Sequence, residues 1–365
     1  MSSTAKYDLD NTGLIEELDK SNMRFFLRSQ ALCSLESYRK VREESIGMGK
    51  ITNIVAAGMG GSGMPIMALN FLFRDEFKIP FVVSQTYELP NFADSNTLLI
   101  AISDSGETEE VISQFQQAKK RNAKIIAIGQ RSRLIDLARK DNYPCYTYSS
   151  TAASRASFAF MFGSTLAYLE NLDIIAGQKK DSLLESTKVI EDLDKEIGIE
   201  IPTRDNIAKR TAILLKNHIP IVYVESPFDS LGSRFAKMQN ENAATFAFHN
   251  YLPEFRHNEI MPWVSKSIPD SMFVPVLIRD NVEHSLMERE IDEIKKVLDT
   301  NCRTIQFRAR GSEKLARFFY LQYLLDMVSF YSGILSGKDP SITPALKQLK
   351  NKLRLESLIP YSKLF

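Results

Sequence analysis

The sequence predicts an α/β protein whose parallel sheets are covered by helices on both faces, built as two successive units of similar order. Three observations carry this. Short apolar runs rich in β-branched residues alternate with helical stretches. The runs are continuous rather than alternating in polarity, as strands buried on both faces are. The alternation occurs twice, on either side of a charged, polar stretch over 177–205 that reads as a helix and connector with a solvated face. A chain of 365 residues suffices for two domains. The expected division is 1–190, comprising N-terminal helices and the first unit, and 191–365, comprising the second unit and a C-terminal segment.

Residues 11–47 read as charge-rich helices. ITNIVAAG (51–58) is a strand, and the stretch from Gly61 to Phe73 opens a helix. FVVSQTY (81–87) and TLLIAIS (97–103) are strands. The segment 108–121 puts Val111, Ile112 and Phe115 on one helical face. KIIAIG (124–129) and CYTYS (145–149) complete the first set, and 154–172 is a long buried helix. In the second half, IPIVYVES (219–226) is a strand, followed by a helix around 235–246. MFVPVLIRD (272–280), a helix over 288–298 and CRTIQFRA (302–309) follow. The apolar helix 315–335 is longer and more apolar than a small domain needs to hide, which points to an interface between copies.

Composition excludes several classes. The chain is 44% hydrophobic and 25% charged with a net charge of +1, so no basic field points to nucleic acid or a membrane surface. Cys33, Cys145 and Cys302 are scattered, which argues against a disulfide framework and for a reducing, cytoplasmic setting. The N-terminus has no apolar signal region, and no apolar run is long enough to span a bilayer. No cofactor is expected. Outside Glu254, His257 and Glu259, no cluster has metal-ligand spacing.

GMGGSG (58–63) satisfies G-x-G-x-x-G between a strand and a helix. A dinucleotide turn also needs an acid at the end of the second strand, where Ser84 and Gln85 stand instead. No G-K-[ST] follows, so a P-loop fails as well. Directly after TLLIAI comes Ser103-Asp104-Ser105-Gly106-Glu107-Thr108, leading into a helix. A helix N-terminus favours an anion through its free N–H groups and dipole. The hydroxyls of Ser103, Ser105 and Thr108 can donate to phosphate oxygens, and Ser62 lies on the neighbouring turn. Plain N-capping accounts for one hydroxyl, less easily for four. The acids Asp104 and Glu107 oppose phosphate unless their side chains point away.

GMGGSG followed by S-x-S-G-x-T resembles the sugar isomerase (SIS) domain. That resemblance implies a doubly wound five-stranded parallel sheet binding a phosphosugar through Gly61, Ser62, Ser103, Ser105 and Thr108. The second half narrows it. An E-N-A segment at Glu241 stands sixteen positions before His257, in P-E-x-x-H-N-E-I. With Arg155 in S-R-A and the terminal D-P-x-x-T…L-K (339–350), this resembles the bifunctional phosphoglucose/phosphomannose isomerases, built from two SIS domains. That family usually shows S-Y-S-G-N-T, so Asp104 and Glu107 depart from its pattern.

The resemblance implies an isomerase of glucose 6-phosphate and fructose 6-phosphate, accepting mannose 6-phosphate as well. It implies a homodimer, with His257 completing the site of the other subunit. Moving one proton between C1 and C2 needs a carboxylate base and a donor for the enediolate. By resemblance Glu241 is the base and Arg155 serves the enediolate. His257 and Lys350 open the sugar ring, with Lys347 a rival one turn away, and Thr343 leaves room for both C2 epimers. Taken singly, Glu241 and Lys350 read as solvated residues, His257 as structural and Arg155 as a charge near a helix start. Their joint spacing favours the enzyme. The alternatives are an amino-sugar or pentose phosphate isomerase of the same fold and a non-catalytic phosphosugar-binding regulator.

Overall fold

The computed structural model describes residues 8–265 and 272–357. Three N-terminal helices come first: α1 (Thr12–Leu18), α2 (Met23–Arg28) and α3 (Gln30–Arg42). The first sheet follows as β1 (Asn53–Ala57), α4 (Gly63–Leu72), β2 (Phe81–Ser84), β3 (Thr97–Ser103), α5 (Glu109–Lys120), β4 (Lys124–Gln130), α6 (Arg133–Lys140) and β5 (Cys145–Tyr148). Helices α7 (Phe158–Asn171), α8 (Lys180–Ile197) and α9 (Ile207–Leu215) lead to the second sheet. This comprises β6 (Ile219–Glu225), α10 (Asp229–Met238), β7 (Phe248–Leu252), α11 (Ile260–Val264), β8 (Phe273–Arg279), α12 (Ser285–Asn301) and β9 (Ile305–Arg308). Helices α13 (Lys314–Leu335) and α14 (Pro344–Ser357) follow.

Both sheets are wholly parallel. The first has strand order β2-β1-β3-β4-β5 and the second β7-β6-β8-β9. In each, the first strand lies between the second and the third. The chain therefore leaves the first strand toward one edge and later returns past it toward the other, which opens a crevice at the carboxyl ends. In the first sheet Ala57 pairs with Ala101, so the turns after β1 and β3 are neighbours there. The second sheet has four strands among the described residues rather than the expected five. After β9 the chain enters α13 directly.

The strands are continuous apolar runs because both faces are covered: every residue of β3 is buried. One core joins the N-terminal helices, one face of each sheet and helices α4, α7, α8, α9, α10 and α13. The outer face of the first sheet packs under α5 and α6, and that of the second under α12. Every residue of α13 from Leu315 to Leu335 is buried within the chain. This corrects the expectation that the apolar helix 315–335 points to an interface: α8, α9 and α10 already cover it.

Several elements went unexpected, the short α11 among them. Helix α6 is two turns of mixed polarity, and α9 follows a connector expected to be polar. β7 is a sheet edge whose sequence, FHNYL, carries a histidine and an asparagine, so it lacks an apolar run.

Candidate active site

The turn after β1 is a single 3₁₀ turn, Gly60–Ser62, running into α4. Gly61 is required there by a close approach. A Cβ on it would lie 2.6 Å from Ser154 Oγ and 2.7 Å from the Arg155 backbone nitrogen. The glycine loop thus abuts the loop that carries Arg155. Ser62 is buried, and its Oγ accepts from the backbone N–H of Asp104 at 2.9 Å, which ties the two turns together.

In the second turn, Ser103 Oγ accepts from the N–H of Gly106 at 2.9 Å and shares a hydrogen bond with Thr108 Oγ1 at 2.9 Å. Ser105 is exposed, and its Oγ accepts from the N–H of Glu107 at 3.3 Å. Thr108 is the N-cap of α5 by backbone geometry, yet its side chain takes no amide of the first turn. Plain capping therefore does not explain these hydroxyls. Among the described residues, they line a helix start whose first-turn amides have no side-chain acceptor.

Both acids turn away. Asp104 Oδ1 accepts from the Tyr148 phenol at 2.7 Å and from Gln130 Nε2 at 3.3 Å. Glu107 Oε1 accepts from the N–H of Arg133 at 3.4 Å. Gly106 makes this path possible: its φ is +64°, and a Cβ there would lie 1.7 Å from Ser132 Oγ.

Arg155 precedes α7, but its guanidinium crosses to the second unit. It is 4% exposed. Nη1 donates to Glu241 Oε2 at 2.8 Å, Nε to Asn242 Oδ1 at 2.8 Å and Nη2 to the Pro340 carbonyl at 2.5 Å. Burial pushes the guanidinium below its ordinary value, and the Glu241 charge opposes this. The backbone of Arg155 is held as well: its carbonyl accepts from Nη1 and Nη2 of Arg234, both at 3.3 Å. Arg234 in turn donates to both oxygens of the fully buried Asp326. Such a bidentate pair fixes direction as well as charge.

Glu241 lies on a π-helical turn, Gln239–Ala243, that continues α10. The turn ends at Ala244, a non-glycine residue with φ of 52°. The wider turn presents the consecutive residues Glu241 and Asn242 to one guanidinium. Ser329 Oγ accepts from Asn242 Nδ2 at 3.0 Å, which sets the amide oxygen toward Arg155. The Glu241 side chain keeps 25% exposure against 4% for Arg155, so the carboxylate is the open side of the pair. Lys237 lies one turn before. Burial pushes its amine down, against the pull of the Glu241 charge. His249 on β7 is also pushed down, by burial and then by the charge of Lys237.

Among the described residues, no hydrogen bond or ion pair joins His257 to Glu241 or Arg155. It ends a 3₁₀ turn, Glu254–His257, and is exposed, while Phe255 in the same turn is buried. Glu259, two residues on, accepts from Tyr223 and Asn250, so the block around His257 is firmly anchored. Thr343 is half-buried just before α14, and its carbonyl accepts from the N–H of Lys347 at 3.1 Å. Lys347 is exposed. Lys350 belongs to α14, but its side chain lies outside the described residues.

The sequence reading missed Asn242, Arg234, Asp326 and the Pro340 carbonyl. Asn242 stood inside the quoted E-N-A segment. The other three act through the chain fold, and only the fold brings them to Arg155.

The corresponding edge of the second sheet differs. Glu225 ends β6, and Arg279 ends β8 with its guanidinium on Glu283 and Asp292. Arg317 donates to Asp280. Paired charges fill the place that hydroxyl-bearing turns occupy in the first sheet. Among the described residues no group of three or more His, Cys, Asp or Glu side chains is arranged to hold a metal ion.

Residues 49–176 match the family model of the SIS domain, and residues 204–353 match the bacterial phospho-glucose isomerase C-terminal SIS domain. A bifunctional phosphoglucose/phosphomannose isomerase from Caldicellulosiruptor bescii is 34% identical over 305 residues, which cover 83% of this chain and 90% of that one. The chain belongs to the bifunctional phosphoglucose/phosphomannose isomerase family. A second member, from Aquifex aeolicus, is 31% identical over 82% of this chain and 90% of its own length. Among solved structures, a hypothetical protein from Thermus thermophilus shares the fold with a TM-score of 0.73 at 16% identity, covering 98% of this chain and 100% of that one. Among the described residues, no helix is long and apolar enough to cross a membrane.

Proposed function

We propose that this isomerase interconverts glucose 6-phosphate and fructose 6-phosphate, and mannose 6-phosphate with the same ketose, through an enediolate. The observation that carries the reading is the Arg155–Glu241 pair, formed between the two units beside the glycine loop. The phosphate sits on the hydroxyls of Ser62, Ser103, Ser105 and Thr108 and on the start of α5, with Gly61 leaving the backbone approach open. Glu241, the more exposed side of the pair, removes the C2 proton of the open-chain aldose. The C–H electron pair forms the C1–C2 double bond, and the carbonyl oxygen at C1 takes the negative charge. Arg155 stabilises that oxygen as charge develops. Glu241 then returns the proton to C1, O2 becomes the carbonyl oxygen, and its proton passes to O1. No electrons leave the sugar.

Ring opening falls to His257 and Lys350, with Thr343 beside them. The exposure of His257, on a well-anchored block, supports its delivery to the site of a second copy in a homodimer. The stacked and exposed rings of Phe246 and Phe248 add apolar surface for such a contact. The two units divide near residue 190, within α8, the helix that packs on both α3 and α13. A cytoplasmic location fits a chain that acts on sugar phosphates.

A coupled assay of the purified chain on glucose, mannose and fructose 6-phosphates, with glucosamine 6-phosphate as control and with and without chelator, tests this. Turnover of the three hexose phosphates that survives chelation is expected. Turnover of the amino sugar alone, or binding with no turnover, would replace the reading.

A further inference from the structure

We propose that Asp104 is a positioning residue that couples the phosphate-binding turns to the loop carrying Arg155. The inference rests on the functional reading above, in which the 103–108 turn holds phosphate and Arg155 serves the enediolate. An acid inside a phosphate-binding turn would repel the ligand if its carboxylate faced the hydroxyls. Here the carboxylate is buried and faces the opposite way. Its backbone N–H reaches back to Ser62 on the glycine loop. Its Oδ1 accepts from Tyr148, the last residue of β5, and from Gln130, the last residue of β4.

Gln130 passes the link on. Its Oε1 accepts from the N–H of Ser150 at 3.2 Å, where the loop to Arg155 begins. Ser150 Oγ then accepts from the N–H of Ala152 and from Ser157 Oγ, both at 3.1 Å, bracketing Arg155 in sequence. Tyr148 is fixed from its other face by Phe160 of α7, with ring centroids 4.8 Å apart and planes 13° from parallel. Burial, with the Asp104 charge, pushes the Tyr148 phenol well above its ordinary value, so it stays a donor. One residue therefore joins both ligand-binding turns to the start of the Arg155 loop, its backbone N–H holding Ser62 and its carboxylate holding Tyr148 and Gln130. A buried acceptor with these donors is costly to remove, because Tyr148 and Gln130 would lose their partner.

The test compares Asp104→Ala, Asp104→Asn and Tyr148→Phe with the wild-type chain. The readouts are kcat and KM on fructose 6-phosphate, glucose 6-phosphate affinity by calorimetry, and amide hydrogen exchange over 149–157. Asparagine keeps the Oδ1 acceptor, so Asp104→Asn should hold kcat to within about fivefold of wild type. Asp104→Ala should lower kcat by about 10²-fold, with a smaller change in KM, because the misplacement falls on Arg155. Ligand should slow exchange over 149–157 in the wild type and not in Asp104→Ala. A kcat kept in Asp104→Ala despite a lower melting temperature would reduce Asp104 to a structural role and overturn the proposal. Equal losses in Asp104→Asn and Asp104→Ala would also overturn it. Should the alanine variant not fold, Tyr148→Phe carries the test, with a loss of about tenfold in kcat expected and an unchanged kcat contradicting. If the wild type turned over no hexose phosphate, the functional reading would fail by itself. Calorimetry and hydrogen exchange would still report whether Asp104 couples the loops.

Discussion

Glu241 and Arg155 face each other at 2.8 Å, one nearly sealed and one partly open to solvent. Glutamine at 241 keeps the shape and a weaker hydrogen bond to Arg155, but cannot accept a proton. Glu241→Gln should therefore lower kcat by about 10²–10⁴-fold or more while leaving phosphosugar affinity nearly intact, read as a loss in kcat rather than in binding. Retained turnover would move the role to another carboxylate, with Glu254 and Glu259 next. Glu259 already serves Tyr223 and Asn250 as an acceptor, which makes Glu254 the freer of the two. At this scale the sequence was informative where chemistry and motif coincide. Gly61, Arg155 and Glu241 stand in short motifs, and the fold brings them together. Asn242 and the Pro340 carbonyl were not legible. Any residue can offer a carbonyl, and the partnership of Asn242 depends on a π-helical turn that periodicity does not announce.

At the level of elements, α5 and β6 show how the carboxyl edges of two similar sheets take opposite chemistry. The start of α5 carries hydroxyls and amides without a side-chain cap. Replacing Ser105 and Thr108 together with alanine should raise KM for hexose phosphates more than it lowers kcat, and an unchanged KM would remove that turn from the site. At the end of β6, burial, with the nearby charges of Glu283 and Asp280 adding, pushes Glu225 up to about 8. Its carboxyl is then protonated in the native chain over a range where the unfolded chain has already ionised it. Unfolding releases a proton, so this group's contribution falls as pH rises from about 4.5 to about 8 and is level above that. Glu225→Gln imitates the protonated form. Its urea midpoint should gain on the wild type steadily between about pH 5 and about pH 8. A difference that ignores pH would contradict the raised value. The buried strands were legible because both faces of each sheet are covered. β7 was not, since a sheet edge packed on one side can carry polar residues without penalty.

For the whole molecule, the strand orders of the two sheets agree over the four strands they share, and one core passes through both units. The repeat of the α/β pattern was legible in the sequence. The difference between the two carboxyl edges was not, because it lies in charged residues that pair only after folding. In the proposed dimer, His257 serves the neighbouring site. Glu241→Gln and His257→Ala chains, each inactive alone, should then regain part of the activity after subunit exchange, through sites built from one intact half of each. No recovery from verified mixed dimers would put His257 outside the shared site.

The central claim is that Glu241 carries one proton between C2 and C1, and its most direct test is the fate of that proton. Isomerisation of glucose 6-phosphate by the wild-type chain in deuterated water, followed by NMR, should give fructose 6-phosphate with deuterium at C1, because a carboxylate open to solvent exchanges its proton during the lifetime of the enediolate. Product free of label at every extent of conversion would contradict the account and point to direct hydride transfer between the two carbons.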